Sequence, residues 1–148
     1  MIDIENAIVD RIRTQILADF PNRSIAVLNT TPELIAKFPA VCVNELENTT
    51  YSRSRDLTIF ESYAEVIYQV DIFVNDGTGA KTLAKQIGAS VDEVLYGLRF
   101  SRTMFTQLPN ADRKIVRYTG RYRAVVSAPI VTENDGNLPD LEYYIYRR

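Results

Sequence analysis

Hydrophobic and polar residues alternate with a period of two in residues 62–74, and this alternation predicts a half-buried β-strand. Turn-forming Asn, Asp and Gly residues in segment 75–79 interrupt the pattern. In residues 80–98 the apolar positions then recur every three or four residues, which is typical of an amphipathic helix. We expect the apolar side of the strand to pack against the apolar stripe of the helix, with the rest of the chain organised around this unit.

The remaining segments carry weaker patterns. A first amphipathic helix is predicted for residues 3–20, with Asp3 as its N-cap and Pro21 as its end. Residues 32–37 favour one helical turn. Residues 48–60 are polar without a clear period, which predicts a long hairpin tip or loop, and long loops in compact domains are often functional. Further strands are predicted at residues 24–28, 39–46, 100–108, 113–126 and 141–146.

The two longest predicted strands are longer than the helix predicted between them. Residues 62–74 and 113–126 would span ~40 Å and ~45 Å as strands, whereas the helix at residues 80–98 would cover about 28 Å. The sequence therefore predicts an α+β fold, with two amphipathic helices on one face of a mixed or mainly antiparallel sheet and a long overhanging β-hairpin. Because an overhanging hairpin would find little to pack against in its own chain, we expect it to contact another copy or another protein.

Composition narrows the functional classes. With 148 residues, 46% hydrophobic and 24% charged, the chain is expected to form one soluble domain over residues 1–148, with residues 134–148 as a candidate C-terminal extension. The formal net charge of −2 gives no overall attraction to nucleic acid or to anionic membranes. The acidic N-terminus and the lack of an apolar run of roughly 18 residues predict an intracellular protein without a membrane span.

Candidate catalytic chemistry is sparse. The chain has no histidine, the usual general base and zinc ligand, and its one cysteine, Cys42, lies in an apolar run and is interpreted as a core residue. Residues 77–82 (Gly-Thr-Gly-Ala-Lys-Thr) lie where a phosphate-binding loop belongs, but Asn75 and Ala80 replace both of its glycines, so a plain turn before a helix is favoured. Glu65 and Asp71 share a strand face about 20 Å apart, too far for a catalytic pair. We therefore predict no enzymatic activity, no cofactor and no metal.

An arginine stripe is the strongest charge feature of the sequence, and three interpretations stay open. Its members are predicted to share one strand face and are Arg113, Arg117, Arg121 and Arg123. They could pair across strands with Glu65 or Asp71, or be solvated. They could instead form a subunit contact or bind DNA phosphates. Arg53 and Arg55 could join either of the last two.

The C-terminal tyrosines add a second candidate surface. The chain has 9 tyrosines, and those of the last predicted strand are Tyr143, Tyr144 and Tyr146. They cannot all face inward, so this segment is interpreted as an interface or an edge strand.

The order of these features resembles the tail terminator and related tail-completion proteins of long-tailed bacteriophages. The resemblance covers roughly residues 1–131 and consists of pattern and order, without an invariant catalytic signature. It rests on an opening amphipathic helix, Phe-Pro-Ala-Val-Cys-Val-Asn-Glu at residues 38–45, a polar loop, the long strand and its helix, Phe-Ser-Arg at residues 100–102, and Arg117-Tyr118 and Arg121-Tyr122-Arg123. Residues 134–148 have no counterpart in this resemblance.

The resemblance implies a structural role in the virion. It implies a ring, typically of six copies, at the head-proximal end of the tail tube, which ends tube growth and joins the tail to the head connector. The partners would be the tail tube protein and a connector or stopper protein, with DNA passing through the lumen without sequence-specific binding, and assembly would take place in the host cytoplasm. A neck stopper or head–tail joining protein, and a small DNA-binding module that uses the arginine stripe, are the alternatives.

Overall fold

The structure, a computed structural model, describes residues 1–29, 37–50, 63–75 and 77–127. These residues form two α-helices, five strands and one short 3-10 turn, Gly77–Gly79. In chain order the helices and strands are α1 (Glu5–Asp19), β1 (Ala26–Leu28), β2 (Ala40–Thr50), β3 (Tyr63–Val74), α2 (Ala80–Gly97), β4 (Ser101–Leu108) and β5 (Val116–Ser127).

All five strands belong to one mixed sheet, in the order β1-β2-β3-β5-β4. The short β1 pairs in parallel with β2, and every other neighbouring pair is antiparallel. The centre of the sheet is the β3–β5 pair, which stays in register from Tyr63 opposite Ser127 to Val74 opposite Val116. The predicted α+β class with a mixed sheet is confirmed.

The unit at the centre of the sequence pattern is also confirmed. β3 buries the alternating side chains from Ala64 to Val74, and α2 buries the predicted stripe, including Leu83, Ile87, Val91 and Leu95. Gly88 lets α2 approach the sheet closely, since a Cβ atom built there would lie 2.7 Å from Cζ of Phe105. β3 and α2 therefore belong to two layers, sheet and helix, that pack closely against each other.

The first helix begins slightly later than predicted. Ile4 occupies the N-cap position, and Asp3 instead accepts a hydrogen bond from the backbone N–H of Glu5 at 3.1 Å. Asp3 thus satisfies one of the free N–H groups of the first turn without being the cap residue. α1 buries Ile8, Ile12 and Ile16, as its periodicity predicts.

The hydrophobic core lies on one side of the sheet, between the sheet and both helices. β3 and β5 have 12 residues each, and α2 has 18, so the strands span ~40 Å and the helix ~27 Å. The far ends of both strands are nevertheless packed within the chain, because Ala64, Val66 and Val126 are 0% exposed. The expectation that the hairpin would lack packing in its own chain is therefore wrong for its helix-facing side chains.

Two predicted boundaries are corrected. β2 continues to Thr50, so residues 48–50, predicted as the start of the polar loop, belong to a strand. β5 begins at Val116, because a turn precedes it in which Asp112 accepts hydrogen bonds from the N–H groups of Lys114 and Ile115. The predicted strand 141–146, most of the loop 48–60 and nearly all of the helical turn 32–37 lie outside the described residues.

Candidate functional site: the open face of the sheet

The side of the sheet opposite α1 and α2, here called the open face, carries the polar residues of β3 and β5. Alternate residues of β5 project from it, so Arg117, Arg121 and Arg123 lie on the same face as predicted. Arg113 does not belong to this group, because it lies in the exposed turn before β5. The open face therefore holds three of the four predicted stripe arginines.

At one end of the face a buried carboxylate organises its neighbours. Asp71 is 2% exposed, and its Oδ1 accepts hydrogen bonds from Nη2 of Arg117 at 3.0 Å and from Nε at 3.2 Å. The Thr119 hydroxyl donates to the same oxygen, and Gln69 Nε2 donates to Oδ2 at 3.0 Å. A buried charge is costly unless it is paired and hydrogen-bonded. The cluster therefore stabilises the buried Asp71 carboxylate within the sheet.

The guanidinium of Arg117 has a second contact, since its Cζ lies 5.4 Å from the ring centroid of Phe73. Phe73 is opposite Arg117 in the β3–β5 register, whereas Asp71 is opposite Thr119. Arg117 thus reaches diagonally to Asp71 and covers the aromatic ring on the way. This arrangement holds the side chain in one position.

The other two arginines of the face have different partners. Arg123 forms an ion pair with Glu65 at 2.8 Å. Arg121 donates from Nε to the side-chain oxygen of Gln69 at 3.2 Å, which is a neutral partner. Cross-strand pairing with Glu65 and Asp71, one of the three interpretations, is therefore confirmed for two arginines of the stripe. Glu65 and Asp71 each bind their own arginine, Arg123 and Arg117 respectively.

Cys42 lies opposite Asp71 on β2 and is 0% exposed. Burial raises the pKa of its thiol from 9.0 to about 11, the Asp71 carboxylate adds to the rise, and Arg117 partly opposes it. Because the thiolate is the reactive form, this cysteine is poorly suited to nucleophilic chemistry at neutral pH. Its interpretation as a core residue is confirmed.

A second polar cluster, on the helix side, joins α2 to β4 and β5. Asp92 accepts hydrogen bonds from the Tyr122 hydroxyl and from Nη1 of Arg102. Tyr122 is 1% exposed, and burial, followed by the hydrogen bond to Asp92, raises the pKa of its hydroxyl. Sequence reasoning missed this cluster, since Asp92 and Tyr122 are 30 residues apart and neither belongs to a recognisable motif.

Tyr68 repeats the same arrangement on the other side of the core. Its hydroxyl donates to Glu45 at 2.7 Å, and burial, then this hydrogen bond, raises the pKa of that hydroxyl. Glu45 also raises the pKa of the Glu5 carboxyl, after the larger effect of burial. The hydroxyls of Tyr68 and Tyr122 therefore each donate to a carboxylate, which satisfies the hydroxyl and fixes the ring.

The segment that resembles part of a phosphate-binding loop is a turn followed directly by a helix. Gly77 adopts a positive φ of 67°, the 3-10 turn ends at Gly79, and α2 begins at Ala80. An open depression beside it is lined by Phe20, Arg23, Gly79, Thr82, Leu83 and Gln86. Residues 77–82 thus form a turn and the start of a helix, as predicted from the sequence.

The other predicted site residues lie outside the described ranges: Arg53, Arg55, Tyr143, Tyr144 and Tyr146. Within the part of the chain that the structure describes, no three His, Cys, Asp or Glu side chains gather closely enough to hold a metal ion. No helix of the described residues combines the length and the apolar character needed to cross a membrane.

Neither a protein-family model nor a curated protein matches this chain.

Proposed function

We propose that this chain is a structural protein of a bacteriophage virion. It forms a ring of six copies at the head-proximal end of the tail tube, ends tube polymerisation and joins the tail to the head connector. Its partners are the tail tube protein, a connector or stopper protein and further copies of itself. DNA passes through the lumen without sequence-specific contact.

One observation carries the proposal. The elements follow the order α1, β1, β2, β3, α2, β4, β5, with both helices on one side of the sheet, and this fold agrees with the one that the tail-terminator resemblance implies. The structure supplies two further supports. Glu65, Asp71 and Asp92 are engaged in contacts that hold the fold together, and the open face leaves exposed side chains, such as Arg121, available to a partner.

The experiment is electron microscopy of a lysate from a phage that lacks this gene, with the intact gene supplied in trans as the control. Overlong or irregular tail tubes beside filled, tailless heads support the terminator. Tails of normal length beside heads that leak DNA contradict it and favour the alternative, a neck stopper or head–tail joining protein. Normal particles contradict both virion roles.

The DNA-binding alternative receives less support. Arg117 and Arg123 are already paired with carboxylates, so two of the three arginines of the open face have little charge left for phosphates. A gel-shift series at rising salt tests it, because binding through phosphates is tight at low salt and falls steeply as salt increases. We expect no shift of duplex DNA even at low salt, and a salt-sensitive shift would contradict this expectation.

A further inference from the structure

Charge divides the open face into two halves. Glu47 on β2 and Glu65 on β3 lie on one side, and Arg121 and Arg123 on β5 lie on the other. Glu65 and Arg123 form an ion pair. Among the described residues of this face, one exposed residue of each sign remains, Glu47 and Arg121.

Neither of these residues has an ionic partner among the described residues. The guanidinium of Arg121 donates from Nε to the neutral side chain of Gln69, so its two terminal nitrogens are left for another acceptor. A guanidinium presents five donors and binds a carboxylate best through two parallel hydrogen bonds. Arg121 can therefore bind a carboxylate, and the described part of its own sheet supplies none.

Glu47 of the same chain is too distant to be that carboxylate. Glu47 lies opposite Ile67, and Ile67 lies opposite Arg123, whereas Arg121 lies opposite Gln69, two residues further along β3. With strands ~4.8 Å apart and ~3.4 Å per residue, the Cα atoms of Glu47 and Arg121 are about 12 Å apart. Between them lies Ile67, a half-buried apolar side chain on the open face.

We infer that the open face binds a second copy of this chain, face to face about a two-fold axis. An axis that lies parallel to the sheet and crosses β3 between Ile67 and Gln69 exchanges the positions of Glu47 and Arg121. Each Arg121 then contacts the partner's Glu47, and two Ile67 side chains meet near the axis. A contact that uses the same patch on both copies closes with two copies.

Charge complementarity favours a second copy over other occupants. A polyanion such as DNA would meet Glu47 and Glu65 on the same surface as the arginines, and like charges brought together cost several kcal/mol. A second copy presents the same two halves in reversed order, so Glu47 and Arg121 each meet the opposite charge. Arg123, opposite Ile67, lies near the axis and keeps its own partner, Glu65. This contact does not depend on the proposed virion role, because a two-fold contact closes with two copies and cannot by itself build a ring.

Sedimentation velocity of the full chain over a range of concentrations tests the inference. Arg121→Glu and Glu47→Arg are each expected to weaken dimerisation about tenfold, because two-fold symmetry repeats the like-charge contact twice. The charge-exchanged double variant is expected to restore the dimer to within about threefold of the original, because both ion pairs then re-form with reversed polarity. Arg113→Glu is the matched control for Arg121→Glu, since it changes the net charge equally at an exposed site outside the strands of the open face.

The outcomes are distinct for the two proposals. A chain that stays monomeric, single variants that dimerise normally, or a double variant without recovery would each overturn the face-to-face contact. Duplex DNA that binds Arg121 in a chain that does not dimerise would overturn it in favour of another occupant. Six-copy rings that do not pair into larger assemblies at any concentration would overturn the contact and leave the ring proposal intact, whereas a charge-dependent dimer without any ring supports the contact alone.

Discussion

Arg117 on β5 and Asp71 on β3 form an ion pair in which the arginine side chain is 26% exposed and the carboxylate 2% exposed. Both Nε and Nη2 of Arg117 donate to the same oxygen, Oδ1 of Asp71. The pair is therefore asymmetric: the cation keeps some contact with water, whereas the anion depends on protein donors.

Removing this arginine is expected to destabilise the fold. Breaking a buried pair costs about 3–5 kcal/mol, and partial exposure of Arg117 reduces the expected loss for Arg117→Ala to about 2–3 kcal/mol in the free energy of unfolding. Urea denaturation followed by circular dichroism measures it. Arg121→Ala is the control, because Arg121 binds a neutral amide at the surface and should change stability by less than about 0.5 kcal/mol. Equal losses would contradict the distinction between the two arginines.

The Arg117–Asp71 ion pair also limits which substitutions can test an interface on the open face. Charge reversal at Arg117 would place a second carboxylate beside Asp71, so any loss of assembly could reflect a damaged fold. Reversal at Arg121 alone avoids this problem, because that side chain is exposed. Interface experiments on this face should therefore exclude Arg117.

The buried hydroxyl of Tyr122 predicts a loss of stability at alkaline pH. Burial and the hydrogen bond to Asp92 raise its pKa in the folded chain, whereas an unfolded tyrosine ionises near pH ~10. The stability that the neutral hydroxyl contributes is thus fully present below pH ~10 and declines above it, by up to about 1.4 kcal/mol per pH unit.

Urea denaturation from pH 8 to 11 measures this effect. Tyr122→Phe should be less stable than the original chain at pH 8, by about 1–2 kcal/mol, and the difference should shrink as the pH rises above ~10. Tyr96→Phe is the matched control, since Tyr96 is 50% exposed. A difference between Tyr122→Phe and the original chain that stays constant with pH would contradict the assigned cause.

How much of the structure could be predicted from the sequence depends on how far apart along the chain the interacting residues lie. β3 and α2 were predicted because their hydrophobic residues recur with a period of two and of 3.6 residues, respectively. Such a period can be recognised within about a dozen consecutive residues. The partners of the arginine stripe depend on strand register, which aligns Gln69 with Arg121 although 52 residues separate them, so sequence reasoning left three interpretations open. The late start of β5 follows from hydrogen bonds to Asp112, and such a local turn competes with a strand pattern that continues through it.

Cys42 provides a probe of the buried side of the Asp71 cluster. It is the only cysteine in the chain, and its thiol pKa rises from 9.0 to about 11, so at pH 8 the thiolate fraction falls ~100-fold. We expect a disulfide reagent to label the native chain at least ~100-fold more slowly than the chain in urea. Equal rates in native and unfolded chains would contradict the buried position.

Gly88 tests the close approach of α2 to the sheet. A Cβ atom there would lie 2.7 Å from Cζ and 3.0 Å from Cε2 of Phe105, and the Phe105 ring is held by stacking on Tyr118 with centroids 5.3 Å apart. Overpacking of about 1–3 kcal/mol opposes a gain of about 1 kcal/mol in helix propensity. Gly88→Ala is therefore expected to lower the free energy of unfolding by about 1 kcal/mol.

Two variants isolate the cause of that loss. Gly97→Ala, in the last residue of the same helix, has nothing within 4 Å of its Cβ position and should be neutral or slightly stabilising, because only helix propensity changes. Phe105→Leu combined with Gly88→Ala should lose less than the sum of the two single changes, since the smaller side chain leaves room for the methyl group. If Gly88→Ala stabilised the chain as much as Gly97→Ala, the ring would have moved aside freely, and the contact between α2 and β4 would be looser than the geometry indicates.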